Sequence, residues 1–507
     1  KFAQFVLVMV RGNIQSDEVD GRIISSDSLQ KDYATLDKKY DDDYNTIPSY
    51  EDALRDEFPE SKFQERVVGK SSSLFASYNV ICTVVGTGLL QLPYGLYESG
   101  WIGVFLLLGM CAVATYTATL LIKCMNPPSG RKLYTYSEIG NEAFGIKGAY
   151  VVDAMLHATL LGVATIYLIL AGENLAQLLN EVPWKSAGAD ANYVTSLADI
   201  KPSWCILIIA ILVWGHVWLG TLHEVGFMSA FNVLVAMFLF FVVIVEIFLE
   251  LYSEKQNLSS GYYDSGSGAS VDRGTHTFIN FDYYGLSLAG AFVSFAFSYG
   301  AHAILPTVYE SMKKPQQFNV MIGLTFIAIL FFYIPMAVVG YYAFGDETLS
   351  PIYDNLCTDG SGSSCTYGEQ LGKWLAIFAV TLHVMLSFAI VINPTELALE
   401  RLVGIKKWEN PKRKLIGVSL RTCLVVLTVL IAEVIPDFGD FLNLVSSCTN
   451  TATSFVFPCL FHLVLFWPTL KNNYFLIAVN VAIICITSLA GFFGATFAII
   501  SILCHVF

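Results

Sequence analysis

Charge is scarce in this sequence. Only 14% of its 507 residues are Asp, Glu, Lys or Arg, against about a quarter in soluble domains. The deficit is uneven: residues 1–70 hold 10 of the 29 basic and 15 of the 42 acidic residues. The remaining chain is too poor in charge for an ordinary soluble enzyme. Basic residues show no excess either, the net charge being −13 with no basic stripe, which excludes nucleic-acid binding through a basic face. Cysteine is sparse at 11 residues, nine of them (Cys82, Cys111, Cys124, Cys205, Cys423, Cys448, Cys459, Cys485 and Cys504) in or beside apolar runs. That excludes a secreted disulfide scaffold. The apolar start, Lys1 to Val10, lacks a small-residue cleavage site and is too short to span a bilayer, so no signal peptide is read; Met9 is a candidate start.

Long apolar stretches take the place of charge. Hydrophobic residues make up 55% of the chain and the mean hydropathy is +0.57. Crossing a bilayer takes about 20 apolar residues. Eleven spans are expected at 71–98, 101–125, 149–180, 203–221, 224–251, 283–312, 318–343, 370–402, 414–435, 440–467 and 474–503. The runs are continuous rather than alternating, which predicts an all-α integral membrane protein and not a barrel. The first, sixth and eighth exceed a straight crossing, which predicts tilt or interruption. Asn393-Pro394 is expected to kink the eighth.

The basic residues orient the chain. With a cytosolic N-terminus, 14 of the 19 basic residues beyond position 70 fall in inside loops, seven of them between Arg401 and Arg421. The sequon Asn257-Leu258-Ser259 then lies in an outer loop as a glycosylation candidate. Cys357 and Cys365 flank a Gly/Ser-rich outer stretch, where they are expected to form a disulfide. Residues 1–70, acidic and Ser-rich, read as a disordered cytosolic tail, and 71–503 as the membrane domain. Tyr33-Ala34-Thr35-Leu36 matches a short tyrosine-based sorting pattern, so sorting adaptors are candidate partners of the tail.

Non-helical backbone at membrane depth survives only where it lines a cavity or is buried in protein. The first span carries Gly86-Thr87-Gly88 followed by Pro93, and the sixth carries Ser298-Tyr299-Gly300 followed by Pro306. Each opens a set of five spans. Paired breaks at corresponding positions point to a 5+5 inverted repeat with a site at the midplane, although glycine also serves close helix packing. Half-helix N-termini favour an anion and freed carbonyls a cation. A zwitterion meets both, and no Lys or Arg lies in spans 1, 3, 6 or 10 to hold a fixed anion. An amino acid is therefore the expected ligand.

Other polar residues admit two readings. Ser446, Asn450 and Ser454 form an i, i+4, i+8 row on the tenth span, lining a pathway or bonding a neighbouring helix. Tyr167 is a candidate to close over substrate or a packing aromatic. His302, two residues past Gly300, is a candidate for ion coupling or a buried neutral histidine. Glu173, Glu310, Glu396 and Glu400 near span ends suit solvated ends or ion pairs.

Val85 to Tyr94, Val-Gly-Thr-Gly-Leu-Leu-Gln-Leu-Pro-Tyr, followed by Ser99-Gly100-Trp101, resembles the first-helix signature of the amino acid/auxin permease family. Tyr136 to Gly145 is similar to that family's loop between helices 2 and 3, and Pro335 to Gly345 to its helix 7 end. The resemblance covers about residues 71–503. It implies the eleven-helix fold of the amino acid–polyamine–organocation superfamily, with helices 1 and 6 broken around the substrate. It further implies transport of amino acids coupled to protons or sodium, with no other cofactor and no metal. Carried onto this chain, the substrate carboxylate meets the backbone around Gly86, Thr87 and Gly88, with Tyr299 and Gly300 opposite; Ser298 and Tyr167 join them as substrate-binding candidates from their own places in the sequence. Ser311 to Pro315, Ser-Met-Lys-Lys-Pro, resembles the vesicular inhibitory and proton-coupled branches. Where the proton-coupled animal branch has a histidine in helix 2, this chain has Tyr116, which puts that coupling arrangement in doubt.

The leading expectation is an ion-coupled amino acid transporter working by alternating access, in the plasma membrane or an endolysosomal, vacuolar or vesicular membrane. A membrane amino-acid sensor with the tail as its output is one alternative. A multi-spanning acyltransferase using His157 or His383 is another, but neither histidine has an acidic or Asn partner at catalytic spacing in the sequence.

Overall fold

The computed structural model of the chain describes residues 71–181, 200–218, 222–259, 275–280, 286–356, 367–403, 411–435 and 437–506. The tail, its tyrosine pattern, Cys357 and Cys365 lie outside the described residues. The helices run in the order α1 (Ser73–Val84), α2 (Thr87–Ser99), α3 (Gly103–Cys124), α4 (Tyr136–Phe144), α5 (Ile146–Glu181), α6 (Pro202–Trp218) and α7 (Leu222–Ser259). Next come α8 (Leu286–Ser298), α9 (Leu305–Ser311), α10 (Phe318–Phe344), α11 (Tyr367–Leu402), α12 (Pro411–Val434) and α13 (Phe438–Val445). The last are α14 (Phe457–Leu465), the single turn α15 (Trp467–Leu470) and α16 (Tyr474–Val506). Two compact units divide the chain, one of residues 65–399 and 407–507 and the other of 1–64 with 400–406. Apart from the last residues of α11, these helices belong to the first.

Among the described residues, nine helices or helical stretches are long and apolar enough to cross a membrane, and the bent pair α1–α2 makes a tenth. The fourth expected span appears as a shorter apolar helix, Pro202–Gly215. Every backbone donor and acceptor in a helix is satisfied within the segment, so these apolar runs have no cheaper way to sit in lipid. Large apolar side chains face outward along them: Leu324, Ile327 and Phe331 on α10, and Ile486, Leu489 and Phe492 on α16, are all more than half exposed. In water such a surface would be an aggregation hazard; in lipid it is the expected outer face. Asn257 falls within α7, and Pro394 sits inside the continuous helix α11.

Local sequence sets the ends. Ser72 caps α1 by accepting from the Phe75 amide. Thr135 caps α4 by accepting from the Glu138 amide, while the Glu138 carboxylate reaches back to the Tyr134 amide, a near-complete capping box. Gly100 stops α2 at φ 74°, a left-handed conformation that favours glycine. α2 packs against α8 and α10, and α8 also against α16, which places the first and sixth spans side by side.

The tenth span departs from expectation in its winding. Between α13 and α14 the backbone runs as two π-helical segments, Ser446–Asn450 and Ala452–Val456. Each extra residue per turn frees carbonyls and rotates the polar row, and π segments concentrate at functional sites.

Candidate functional site

The first span breaks between Val84 and Thr87, its two halves meeting at 54°. Gly86 stands at the N-cap of α2 with no side-chain cap, leaving the first-turn amides of α2 without that partner. A Cβ on Gly86 would lie 2.1 Å from Nε2 of His383 on α11, so the imidazole occupies the space that glycine leaves. His383 is buried. Beyond Gly86, the Tyr167 hydroxyl on α5 faces the side chains of Thr87 and Ser387. Ser387 in turn accepts from Asn232 Nδ2 on α7 at 2.5 Å. Tyr167 is thus tied to the break and not to remote packing.

The sixth span is interrupted at Tyr299, Gly300 and Ala301, followed by a 3₁₀ turn at His302–Ile304 that leads into α9. Here a Cβ on Gly300 would lie 2.5 Å from Oδ1 of Asn450. Asn450 Nδ2 donates to the Ala296 carbonyl at 2.9 Å and Ser446 Oγ to the Val293 carbonyl at 2.8 Å. The polar row of the tenth span therefore faces α8 and takes up carbonyls just before the interruption, as hydrogen-bonding glue across helices.

Two contacts join the breaks. Ser298 Oγ lies 3.0 Å from the Gly88 carbonyl, and a Cβ on Gly88 would come within 3.0 Å of Ser298 Cα. The Tyr333 hydroxyl on α10 sits 2.8 Å from the Val84 carbonyl and 2.6 Å from the Ser298 carbonyl. It carries one hydrogen, so it donates to the last carbonyl of α1 or of α8 at any moment and marks where both halves end. One turn further, Gln91 Nε2 approaches Ser294 Oγ at 3.2 Å and Asn443 Oδ1 at 3.4 Å, linking α2, α8 and α13.

The expected site residues separate into two groups. Gly86, Thr87, Gly88, Tyr167, Ser298 and Gly300 converge. The Tyr299 ring instead packs between Phe326 and Tyr333, its hydroxyl 3.3 Å from the Leu107 carbonyl, so only its backbone belongs to the break. His302 pairs with Thr117 Oγ1 on α3 at 2.9 Å. Tyr116 accepts from Asn480 on α16 at 3.2 Å. Sequence reasoning missed Tyr333 and Asn232, which sit in apolar runs with no distinguishing pattern. It weighed His383 only as an enzyme histidine.

The two ends of the bundle differ. At the start of α1, the Ser71 amide donates to the Ser311 carbonyl at 2.9 Å and the Lys313 amide to the Ser71 carbonyl at 2.8 Å. Lys132 and Glu310 pair beside this latch at 2.8 Å. α10 begins next to the latch, and past its far end lies a cavity of about 310 Å³ lined by Glu173, Asn174, Gln177, Tyr353, Asp354 and Asp437 among others.

The sequence profile of the family described as transmembrane amino acid transporter protein matches residues 69–500. The chain belongs to that family. Members are transporters rather than enzymes, which removes the acyltransferase alternative. Among curated relatives in Arabidopsis thaliana, "Amino acid transporter AVT1I" is 30% identical over 422 residues, 80% of this chain and 89% of the relative. "Amino acid transporter AVT1J" is 28% identical over 78% of this chain and 83% of its own length. In fold, this family member is similar to the crystal structure of MhsT in complex with L-phenylalanine, with a TM-score of 0.50 and 14% identity over 83% of this chain and 99% of MhsT.

Proposed function

We propose that this protein is an ion-coupled secondary transporter of amino acids, driven by protons or sodium, that works by alternating access through an eleven-helix, 5+5 inverted-repeat domain. The observation that carries the reading is the meeting of two interrupted helices at one place, joined by Ser298 and Tyr333. Uncapped amides at the start of α2 suit a carboxylate. The carbonyls of Val84 and Ser298, with the hydroxyls of Tyr167 and Ser387, suit an ammonium group. A substrate with both charges on adjacent atoms fits this arrangement, and the relatives' names point the same way.

α1, α2, α8 and α9 form the moving part, against a frame that contains α5 and α11. The N-terminus is taken as cytosolic on the distribution of basic residues. The latch between Ser71 and Ser311 then closes the cytosolic end, and the acidic cavity opens toward the other side.

The test is uptake by the purified full chain in proteoliposomes, using a radiolabelled amino-acid panel with and without an inward pH or sodium gradient. Accumulation of at least one amino acid above equilibrium under one gradient, and none without, is expected. Binding of an amino acid with neither uptake nor counterflow overturns the transport reading in favour of a receptor.

A further inference from the structure

Glu98 is a charged side chain with no part in the meeting of the two breaks. It is the last residue but one of α2 and is 2% exposed, and among the described residues neither carboxylate oxygen has a hydrogen-bond partner. Its Oε1 stands 2.6 Å from where a Cβ on Gly290 of α8 would be, so the carboxyl lies flat against the backbone of the sixth span. Titratable groups face it from two directions. Asp440 on α13 acts on it electrostatically, and Glu98 itself, with Asp440, Asp437 and Tyr97, acts on the Tyr94 hydroxyl one turn earlier on α2. Asp437 caps α13 by accepting from the Asp440 amide at 2.7 Å and also lines the acidic cavity. An unbroken line of acidic groups thus runs from Glu173 and Asp354 in the cavity, through Asp437 and Asp440, to the buried carboxyl.

A buried carboxylate with no cation and no donor is among the most unfavourable groups a protein can hold; it takes a proton or the packing opens. Here the packing is between α2 and α8, the two half-helices whose separation would open the path from the cavity to the breaks. We propose that Glu98 is the proton-binding group that couples the proton gradient to opening and closing of α2 against α8. When α2 and α8 part, water reaches the carboxylate and an O–H bond forms to a proton taken from hydronium. The neutral acid then packs against Gly290 and the halves close. When the carboxyl is next exposed to water of lower proton activity, the O–H bond breaks and the proton returns to water. His302 is less suited, being already engaged by Thr117 on α3.

This inference rests on the transport reading. Its test compares wild type, Glu98→Gln and Asp440→Asn in the same proteoliposomes. Glu98→Gln keeps the shape of the neutral acid, so counterflow of unlabelled against labelled substrate is expected to survive while accumulation driven by the pH gradient is lost. Asp440→Asn removes a negative neighbour, which is expected to move the pH of half-maximal uptake about one unit toward acid. A purely structural role for either side chain would not separate counterflow from accumulation or move the pH profile. Independently of transport, pH-difference infrared spectra of wild type are expected to show a protonated-carboxyl band that Glu98→Gln lacks. Unchanged pH-driven accumulation or an unchanged infrared band in Glu98→Gln overturns the proton site and leaves the transporter standing. So does wild-type accumulation that follows sodium alone. Wild-type protein that neither accumulates nor exchanges any amino acid overturns both.

Discussion

The two interrupted spans share a sequence pattern, glycine and then proline, yet solve the interruption differently. The first bends by 54° within two residues and leans its glycine on an imidazole ring from α11. The sixth passes through a 3₁₀ turn without so sharp a bend and leans its glycine on an amide of the tenth span, whose own backbone runs in π turns there. One break is held by a stiff ring on a continuous helix; the other by a short polar side chain on a deformable one. The same local chemistry thus gives a sharp joint and a soft one.

Bulk at either glycine tests that contrast most severely. Valine at Gly86 or Gly300 displaces backbone where the substrate is proposed to sit, and a 1 Å misplacement costs about a hundredfold in rate. Both variants are expected to lose uptake at normal expression. Alanine separates them. At Gly86 the new methyl meets the His383 ring at 2.1 Å, while at Gly300 it meets the end of Asn450 at 2.5 Å, which a side-chain rotation relieves. Gly86→Ala should therefore fall further than Gly300→Ala, and His383→Ala should restore part of the loss at Gly86 but none at Gly300. Initial rates in the four variants decide it; equal losses, or rescue of both, would show the two joints to be alike.

The next effect concerns what holds the joints together. Tyr333→Phe removes the hydroxyl shared by the Val84 and Ser298 carbonyls. Leaving a buried acceptor unpaired costs about 1–3 kcal/mol, so a lower thermal unfolding midpoint in detergent is expected along with slower uptake. Ser298→Ala deletes a hydroxyl whose one hydrogen is shared between the Gly88 carbonyl and the Ser294 carbonyl of its own helix, each at 3.0 Å, a net loss of about 1 kcal/mol, and should lower the midpoint less. A Ser298→Ala variant less stable than Tyr333→Phe would mean that the tyrosine does not bridge the halves.

These differences explain what could be read from the sequence. Gly86 and Gly300 were legible, among many glycines in apolar runs, because each stands in a glycine-then-proline break and the two breaks fall in matching places of two sets of five spans. Family resemblance reinforced the same stretch. Tyr333 and Asn232 were not, because α10 and α7 are apolar on all sides and their periodicity carries no record of which face turns inward. The row of Ser446, Asn450 and Ser454 was visible, but its target was not, since the π turns that aim it at α8 leave no compositional mark. Glu98 sits beside Ser99-Gly100-Trp101 at a helix end, where a carboxylate is normally solvated, and nothing in the sequence singled it out. Only the packing of Gly290 against it shows otherwise. The fourth span was counted from hydropathy as 203–221, and its described part is the helix α6, Pro202–Trp218.

The smallest effect should come from the far end of the same two spans. Lys132 and Glu310 form a close ion pair at 2.8 Å beside the Ser71 latch, and the geometry alone would suggest a strong gate. Their side chains are 42% and 28% exposed, however, and water screens such pairs to about 0–1 kcal/mol. The backbone hydrogen bonds of Ser71 with Ser311 and Lys313 remain when the pair is removed, because they use no side chain. Lys132→Ala should therefore leave uptake within about threefold of wild type, a shift of under 1 kcal/mol, and lose even that difference at high salt. A loss as large as that of Gly300→Ala would mean that the side chains hold this end closed. The soft joint would then be governed from outside the break, and the contrast between the two spans would lie at their ends as much as at their centres.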